Sequence, residues 1–355
     1  MNADLNRPSP IRTGEELPID ALTKYFQQHL PGAEGTLTIE QFPHGHSNLT
    51  YLLRLGTKEL VLRRSPFGNQ VASAHDMGRE YRILSRLSSI YPAAPRPELY
   101  CEDLSILGVP FYVMERRHGL ILRKTLPAGL QIDPELARRM SCSLIDNLAA
   151  LHAIDYQNAG LADLGKPEGY VQRQVAGWTK RYAQAQTSVV PSMDRLAGWL
   201  NKSIPSETGV AVIHNDFKYD NVMLDANDLT KIVAVLDWEM ATIGDPLMDL
   251  GTSLGYWVEA TDPMPLQKSA FGPTALPGSL TRREIVDRYQ KQTGKTVPNV
   301  TFYYCFGLFK LAVIVQQIYA RFARGFTADP RFAHLDQLVL ILGAQSDRTI
   351  ESGSI

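Results

Sequence analysis

His214-Asn215-Asp216-Phe217-Lys218-Tyr219-Asp220-Asn221, followed after a short β-branched run by Leu236-Asp237-Trp238-Glu239, is the stretch on which the reading of this chain turns. The runs Val210 to His214 and Ile232 to Asp237 bracket a polar loop, the pattern of short strands that present loop residues. Such a loop offers Asp216 as a carboxylate able to orient a hydroxyl and accept its proton. It offers Asn221 and Asp237 as oxygen ligands for the magnesium ions that screen a triphosphate, so the set has the parts phosphoryl transfer requires. The plainer reading is that two Asp and an Asn cap turns around buried strands, as these residue types often do. It would suffice for one His-x-Asp; two loops in order, each abutting a β-run, favour the chemical reading.

Upstream, the segment from Leu37 to Arg64 alternates like strands, with turns at Pro43 to Asn48 and Gly56 to Glu59, which predicts an antiparallel meander. Ser73 to Asp76 matches a capping box and opens a helix through Glu80, Tyr81, Ile83, Leu84 and Leu87. Two more strands are expected around Leu99 to Cys101 and Pro110 to Glu115. Beyond Gly119, Asp133-Pro134 starts a long helix with Leu136, Met140, Leu144, Leu148 and Leu151 at helical spacing. Most of the rest, including Arg282 to Gln292 and Phe302 to Arg324, reads helical. A small α+β lobe followed by a larger, mainly helical one is the expected architecture.

The His-x-Asp-x-x-x-x-Asn loop and the strand ending in Asp resemble the catalytic and metal-binding loops of the protein-kinase-like superfamily. Asn215, and Asp237-Trp238-Glu239 in place of Asp-Phe-Gly, look like the aminoglycoside and choline phosphotransferase branch, which phosphorylates small molecules. The resemblance implies a two-lobed protein-kinase-like fold, with an N-terminal nucleotide-binding lobe at 1–116, its first 18 residues a flexible lead-in, and a C-terminal catalytic and substrate lobe at 117–355. It implies ATP as substrate, Mg2+ as cofactor, Asp216 as catalytic base, Lys218 near the transferred phosphate, and Asn221 and Asp237 as metal ligands. Lys218 reads otherwise as an exposed loop lysine.

Arg63 stands where the family usually has the strand lysine that pairs with the α- and β-phosphates, and Glu80 where a helix glutamate anchors it. Guanidinium can hold both phosphate and carboxylate through its fork of donors. Alternation favours Arg63 over Arg64, which is expected as a solvated edge charge; Glu80 could instead be a surface residue in an i,i+4 pattern. The turn His44 to Asn48 takes the place of the phosphate-covering loop, with Ser47 and Asn48 toward the phosphates. His44 and His46 lack further ligands, so no zinc is expected. Tyr112 to Arg116 takes the place of the inter-lobe hinge, the backbone of Glu115 and Arg116 meeting adenine. Asp245 and Asp249, in Gly244-Asp245-Pro246-Leu247-Met248-Asp249-Leu250, read as carboxylates that fix the loop.

Bulk composition sets the frame. With 36 Lys and Arg against 37 Asp and Glu, no charge excess points to nucleic acid or an anionic membrane, so a charged ligand must be met locally. Cys101, Cys142 and Cys305 form no disulfide or zinc pattern, which suits a reducing, cytoplasmic setting, and the polar N-terminal stretch lacks a signal-peptide pattern. The most apolar segment, Phe302 to Phe322, is interrupted by Lys310, Gln316, Gln317 and Arg321, so a buried helix is expected and no membrane span.

Gly45 to Tyr51, Val61 to Arg64 and Ser73 to Tyr81 look most like the kinase-like domain fused to acyl-CoA dehydrogenases in animals and its stand-alone bacterial relatives, which include kinases of 4-hydroxyacyl-CoA. That resemblance implies a hydroxyacyl-CoA as the small-molecule hydroxyl acceptor, with Lys310, Arg321 and Arg324 as candidates for its phosphates or, more plainly, as a solvated helix face. From Met240 onward acids number ten and basic residues eleven, a balance that disfavours a polycationic acceptor. Two alternatives stay open: an aminoglycoside or choline-type amino-alcohol kinase, with a carboxylate- and aromatic-lined pocket near Asp216, and a catalytically silent nucleotide-binding module.

Overall fold

The computed structural model describes residues 7–43, 48–66 and 76–355. The chain forms two compact units, one of Met1–Ile121 with Asn221–Ala241 and one of Leu122–Asp220 with Thr242–Ile355. Along the first part run α1 (Ile19–His29), β1 (Leu37–Gln41), β2 (Leu49–Leu55), β3 (Lys58–Arg64), α2 (Met77–Leu87), β4 (Pro97–Cys101), α3 (Leu104–Leu107) and β5 (Phe111–Glu115). Then follow α4 (Pro134–His152), α5 (Tyr170–Ala185), α6 (Pro191–Lys202), β6 (Ala211–Ile213), β7 (Val222–Leu224), β8 (Ile232–Val235) and β9 (Thr242–Gly244). The chain closes with α7 (Pro246–Gly255), α8 (Met264–Lys268), α9 (Arg282–Thr293), α10 (Val300–Ala323) and α11 (Leu335–Ser352).

The small unit is built on an antiparallel sheet in the order β1-β2-β3-β5-β4. Its side chains alternate between two faces, as a pleated strand requires: Tyr51, Leu53, Leu60, Leu62, Phe111 and Val113 enter one core with Leu22 and Phe26 of α1. Leu60, Leu62 and Arg64 therefore share the core side of β3, and Arg63 takes the other. Arg64 is 1% exposed, with its Nε donating to the carbonyl of Ser65 at 3.0 Å. This corrects the expected solvated edge charge: β3 lies third of five strands, with no edge to expose. Helix α2 is capped by Asp76, whose carboxylate accepts from the Arg79 N–H at 2.8 Å, so the helix begins at Met77; Ser73 lies outside the described residues.

The segment 221–241 is tied to α2 and its following loop. The Val235 N–H donates to Ala93 O at 2.7 Å, Arg79 donates to Ala241 O at 2.9 Å, and the Trp238 ring meets Tyr91 edge-on at 5.9 Å.

In the large unit, α4 starts as its sequence predicts, with Asp133 accepting from Leu136 N–H at 2.8 Å and Pro134 in the first turn. Helix α10 packs against α5, α6, α7 and α11. It is the one helix among the described residues long and apolar enough to cross a bilayer, yet 78% of its most apolar window is buried inside the protein. The β6–β9 ladder pairs Val212 with Ile243 and delivers the chain into His214 at one end and α7 at the other.

Candidate active site

In the small unit, β7 and β8 form a two-stranded ribbon with Val222 opposite Val235, and the Leu236 N–H donates to Asn221 O at 2.8 Å. The ribbon thus brings Asn221 and Asp237 to the same end. Asp237 turns left-handed (φ 67), a region that Asn and Asp tolerate better than other residues with a Cβ. Arg63 reaches it from the non-core face of β3: one guanidinium nitrogen lies 3.0 Å from Asp237 Oδ1, while Nε lies 3.4 Å from Glu80 Oε2. Glu80 is 1% exposed, which rules out its surface reading, and its other oxygen accepts the Trp238 N–H at 3.2 Å. Burial works against the charge on Arg63, but Glu80, Tyr112, Asp237 and Glu239 outweigh it and hold the guanidinium firmly charged.

Asn48, expected toward the phosphates, donates its amide to Glu239 at 2.8 Å; Ser47, with His44 and His46, lies outside the described residues. The hinge residues are engaged as well. The N–H of Glu115 donates to Arg96 O at 2.9 Å, its carboxylate pairs with Arg117 at 2.6 Å, and Arg116 pairs with Glu59 at 2.8 Å. The Glu115 N–H, one of the backbone groups expected to meet adenine, is thus already engaged.

Among the described residues no three His, Cys, Asp or Glu side chains gather as a metal cluster. The two residues at the ribbon's end, Asn221 and Asp237, offer an amide oxygen and a carboxylate, both hard oxygen donors. That set fits Mg2+, which takes one or two protein oxygens and completes its shell with water and substrate phosphates.

In the large unit the geometry centres on Asn215, also left-handed (φ 65). The carboxylate of Asp249, fully buried, accepts the N–H of His214 at 2.6 Å and that of Asn215 at 2.8 Å, and it meets His152 Nε2 at 3.1 Å. The Asn215 amide donates to the Tyr170 hydroxyl at 3.1 Å, and the Asn215 carbonyl accepts from Lys310. Asp245 accepts from the N–H and hydroxyl of Thr208 and from the N–H of Leu247, each at 2.8 Å, so both carboxylates of the Gly-Asp-Pro stretch fix backbone, as their sequence suggests.

Held by this frame, Asp216 receives Lys218 Nζ on both oxygens, at 2.8 and 2.7 Å. Burial alone would raise the Asp216 carboxyl, but Lys218, then Lys310 and His214, hold it below the usual carboxylate range. Lys218 is no exposed loop lysine: its ammonium sits 4.3 Å from the centre of the Tyr256 ring, and Tyr256 and Asp216 keep it charged against its burial. Beside it is a cavity of about 20 Å³ walled by Phe217, Tyr219, Tyr256, Trp257 and Phe271, room for roughly one water.

Lys310 is the residue the sequence misjudged. Neither a phosphate ligand nor part of a solvated face, it is 3% exposed. The signal was there, as the lone charge amid the apolar run from Phe302 to Val315. Arg324, by contrast, is exposed and donates to the carbonyls of Gln184 and Gln186 at 3.2 and 3.3 Å.

The sequence pattern of a family described as phosphotransferase enzyme family matches residues 38–281. Acyl-CoA dehydrogenase family member 11 of Rattus norvegicus is 35% identical over 334 residues, which cover 92% of this chain and 42% of that protein. The chain thus spans less than half the length of that curated relative. A solved structure from Ralstonia eutropha, provisionally described as an aminoglycoside phosphotransferase, aligns with a TM-score of 0.81 at 30% identity over 95% of this chain and 99% of that one. Choline kinase from Cryptosporidium parvum aligns with a TM-score of 0.63 at 13% identity over 95% and 97%, a likeness of fold alone.

Proposed function

The chain belongs to the phosphotransferase enzyme family and has its kinase-like α+β fold, and from that premise we propose that it transfers the γ-phosphoryl group of ATP to a small-molecule hydroxyl, with Asp216 as catalytic base. The observation that carries this reading is the setting of Asp216: a half-buried carboxylate that Lys218 meets on both oxygens, in a loop whose backbone is fixed from behind. Asp216 orients the acceptor hydroxyl and takes its proton as the acceptor oxygen bonds to the γ-phosphorus and the bond to the β-phosphate oxygen breaks, leaving ADP. Lys218 stays on Asp216 and offers positive charge to the transferring group. Asn221 and Asp237 would hold Mg2+, which when bound screens the charge of the triphosphate. Arg63, anchored by Glu80, exchanges its contact with Asp237 for the α- and β-phosphates.

The acceptor we favour is a hydroxyacyl-CoA thioester. Support comes from the relative named acyl-CoA dehydrogenase family member 11, a name that points to the same class of thioester. The 30% identity to the Ralstonia protein supports the second reading, an amino-sugar or amino-alcohol acceptor.

The test is ADP release from magnesium-ATP in the presence of 4-hydroxyacyl-CoA, choline or an aminoglycoside, with Asp216→Asn alongside. Of the three acceptors only the thioester should raise turnover above the slow hydrolysis to water, and the raised rate should fall by about 10²- to 10⁴-fold in the variant, with nucleotide affinity kept. Turnover with choline or aminoglycoside alone would replace the acceptor. Nucleotide binding without turnover, indifferent to Asp216→Asn, would make the chain a silent module.

A further inference from the structure

Lysine is almost never fully buried unless paired, yet Lys310 lies in the middle of α10 at 3% exposure. Its ammonium donates to the Asn215 carbonyl and lies 5.7 Å from the centre of the Trp178 ring. A buried charge met by one carbonyl and one aromatic face costs stability, and a methionine would fill the same apolar helix position. Violations of this kind are expected where a site demands them.

The demand is visible in the peptide that joins Asn215 to Asp216. A peptide unit is a rigid plane, and here both of its polar ends are held: the Asp216 N–H donates to His214 Nδ1 at 3.2 Å, and the Asn215 carbonyl accepts from Lys310. The preceding peptide is held by Asp249 through the Asn215 N–H. With both planes pinned, the left-handed turn at Asn215 is fixed, and with it the position of the Asp216 Cα from which the carboxylate extends. Remove Lys310 and a buried carbonyl loses its donor.

We propose that Lys310 is a positioning residue, whose buried ammonium locks the Asn215–Asp216 peptide and places positive charge behind the Asp216 carboxylate, so that this carboxylate stays oriented and ionised for the acceptor proton. The inference rests on the reading of Asp216 as the base. The charged groups that act on Lys310 are Asp216 and Asp249, which favour its ammonium, and Lys218 and Arg181, which oppose it. Burial, the largest influence, brings its pKa down to about 8. The lock therefore weakens as pH rises past that value, whereas Lys218 keeps its proton there.

The test uses the full chain with Lys310→Met and Lys310→Arg. In protein carrying 13C-labelled aspartate carboxyls, Asp216→Asn identifies the Asp216 resonance, and its titration midpoint should rise by about half to one pH unit in Lys310→Met. Magnesium-ATP hydrolysis with water as acceptor should lose about 10- to 100-fold in kcat with KM for ATP unchanged. Lys310→Arg should restore most of it and flatten the decline above pH 8. An unmoved midpoint and an unmoved kcat in a Lys310→Met protein that melts like the wild type would overturn the proposal. Should Lys310→Met fail to fold, an alkaline limb in Lys310→Arg identical to the wild type would overturn it equally. If Asp216→Asn hydrolyses ATP normally, the catalytic reading of Asp216 falls, while the carboxylate midpoint, which needs no turnover, still decides whether Lys310 holds it.

Discussion

In the large unit the loop that carries Asp216 turns left-handed at its neighbour Asn215 (φ 65); in the small unit the loop turns at the carboxylate-bearing residue itself, Asp237 (φ 67). The first turn is held through its backbone, by Asp249 and Lys310, and the carboxylate of Asp216 is left to its chemistry with Lys218. The second has backbone contacts on either side, from the Leu236 and Trp238 N–H groups, but Asp237 is also held through its own carboxylate, by the ion pair from Arg63. A loop clamped by its backbone is ready before any ligand arrives, which is how oriented groups lower a barrier without reorganising. A loop clamped by its own carboxylate has to give up that contact to a cation. In the proposed roles, this makes the base preorganised and the metal ligand exchangeable.

The sharpest way to break this contrast is Asp249→Ala, which strips two backbone N–H groups and His152 of a fully buried partner. It should cost about 3–5 kcal/mol in denaturant unfolding. The pH dependence carries a sign. Burial raises the Asp249 carboxyl, but His152 and then His214 outweigh it and hold it below its ordinary 3.8. Its stabilisation is therefore complete above that value and is lost as pH falls through the lower folded one. The wild type should lose stability on acidification through this window, and the Asp249→Ala protein should lack that component. A variant that acidifies like the wild type would show that the backbone clamp is not what Asp249 supplies.

Arg63→Met should have a smaller effect, about 2–3 kcal/mol, because Glu80 keeps the Trp238 N–H while losing its cation. A double-mutant cycle with Glu80→Gln should recover part of the loss, since the two residues are in contact. Additive losses would mean that the pair is not a unit and that Asp237 is held by other means. The smallest effect belongs to Asn48→Ala, about 1 kcal/mol for one hydrogen bond to Glu239. A loss as large as that of Arg63 would move the anchor of the small-unit loop from the β3 arginine to Asn48.

Much of this was legible before any coordinates. Alternation along Leu37 to Arg64 described the meander and set Arg63 and Arg64 on opposite faces of their strand, as the pairing bears out. Asp133-Pro134 marked the start of α4, and Asp245 and Asp249 were recognisable as loop-fixing carboxylates because a turn entering a helix needs acceptors. Arg64 was misread because alternation gives a side chain its face but not the strand's place in the sheet. Lys310 was misread because a charge on a helix is solvated by default, and nothing along the chain announces a buried carbonyl waiting for it. The return of 221–241 to the small unit is likewise a matter of partners, Ala93 and Arg79 among them, that no linear division of the chain contains.

Residue type and short-range spacing were enough to establish the strands, the helix starts and the identity of the acidic loops, because backbone sterics and hydrogen-bonding chemistry act over a few residues. What assembled only on folding was the support behind those loops. Lys310 and Asn215 are 95 positions apart, Arg63 and Asp237 are 174 apart, and Asn48 and Glu239 are 191 apart. A buried polar group has to find its partner wherever the packed chain brings one, and that choice belongs to the fold as a whole.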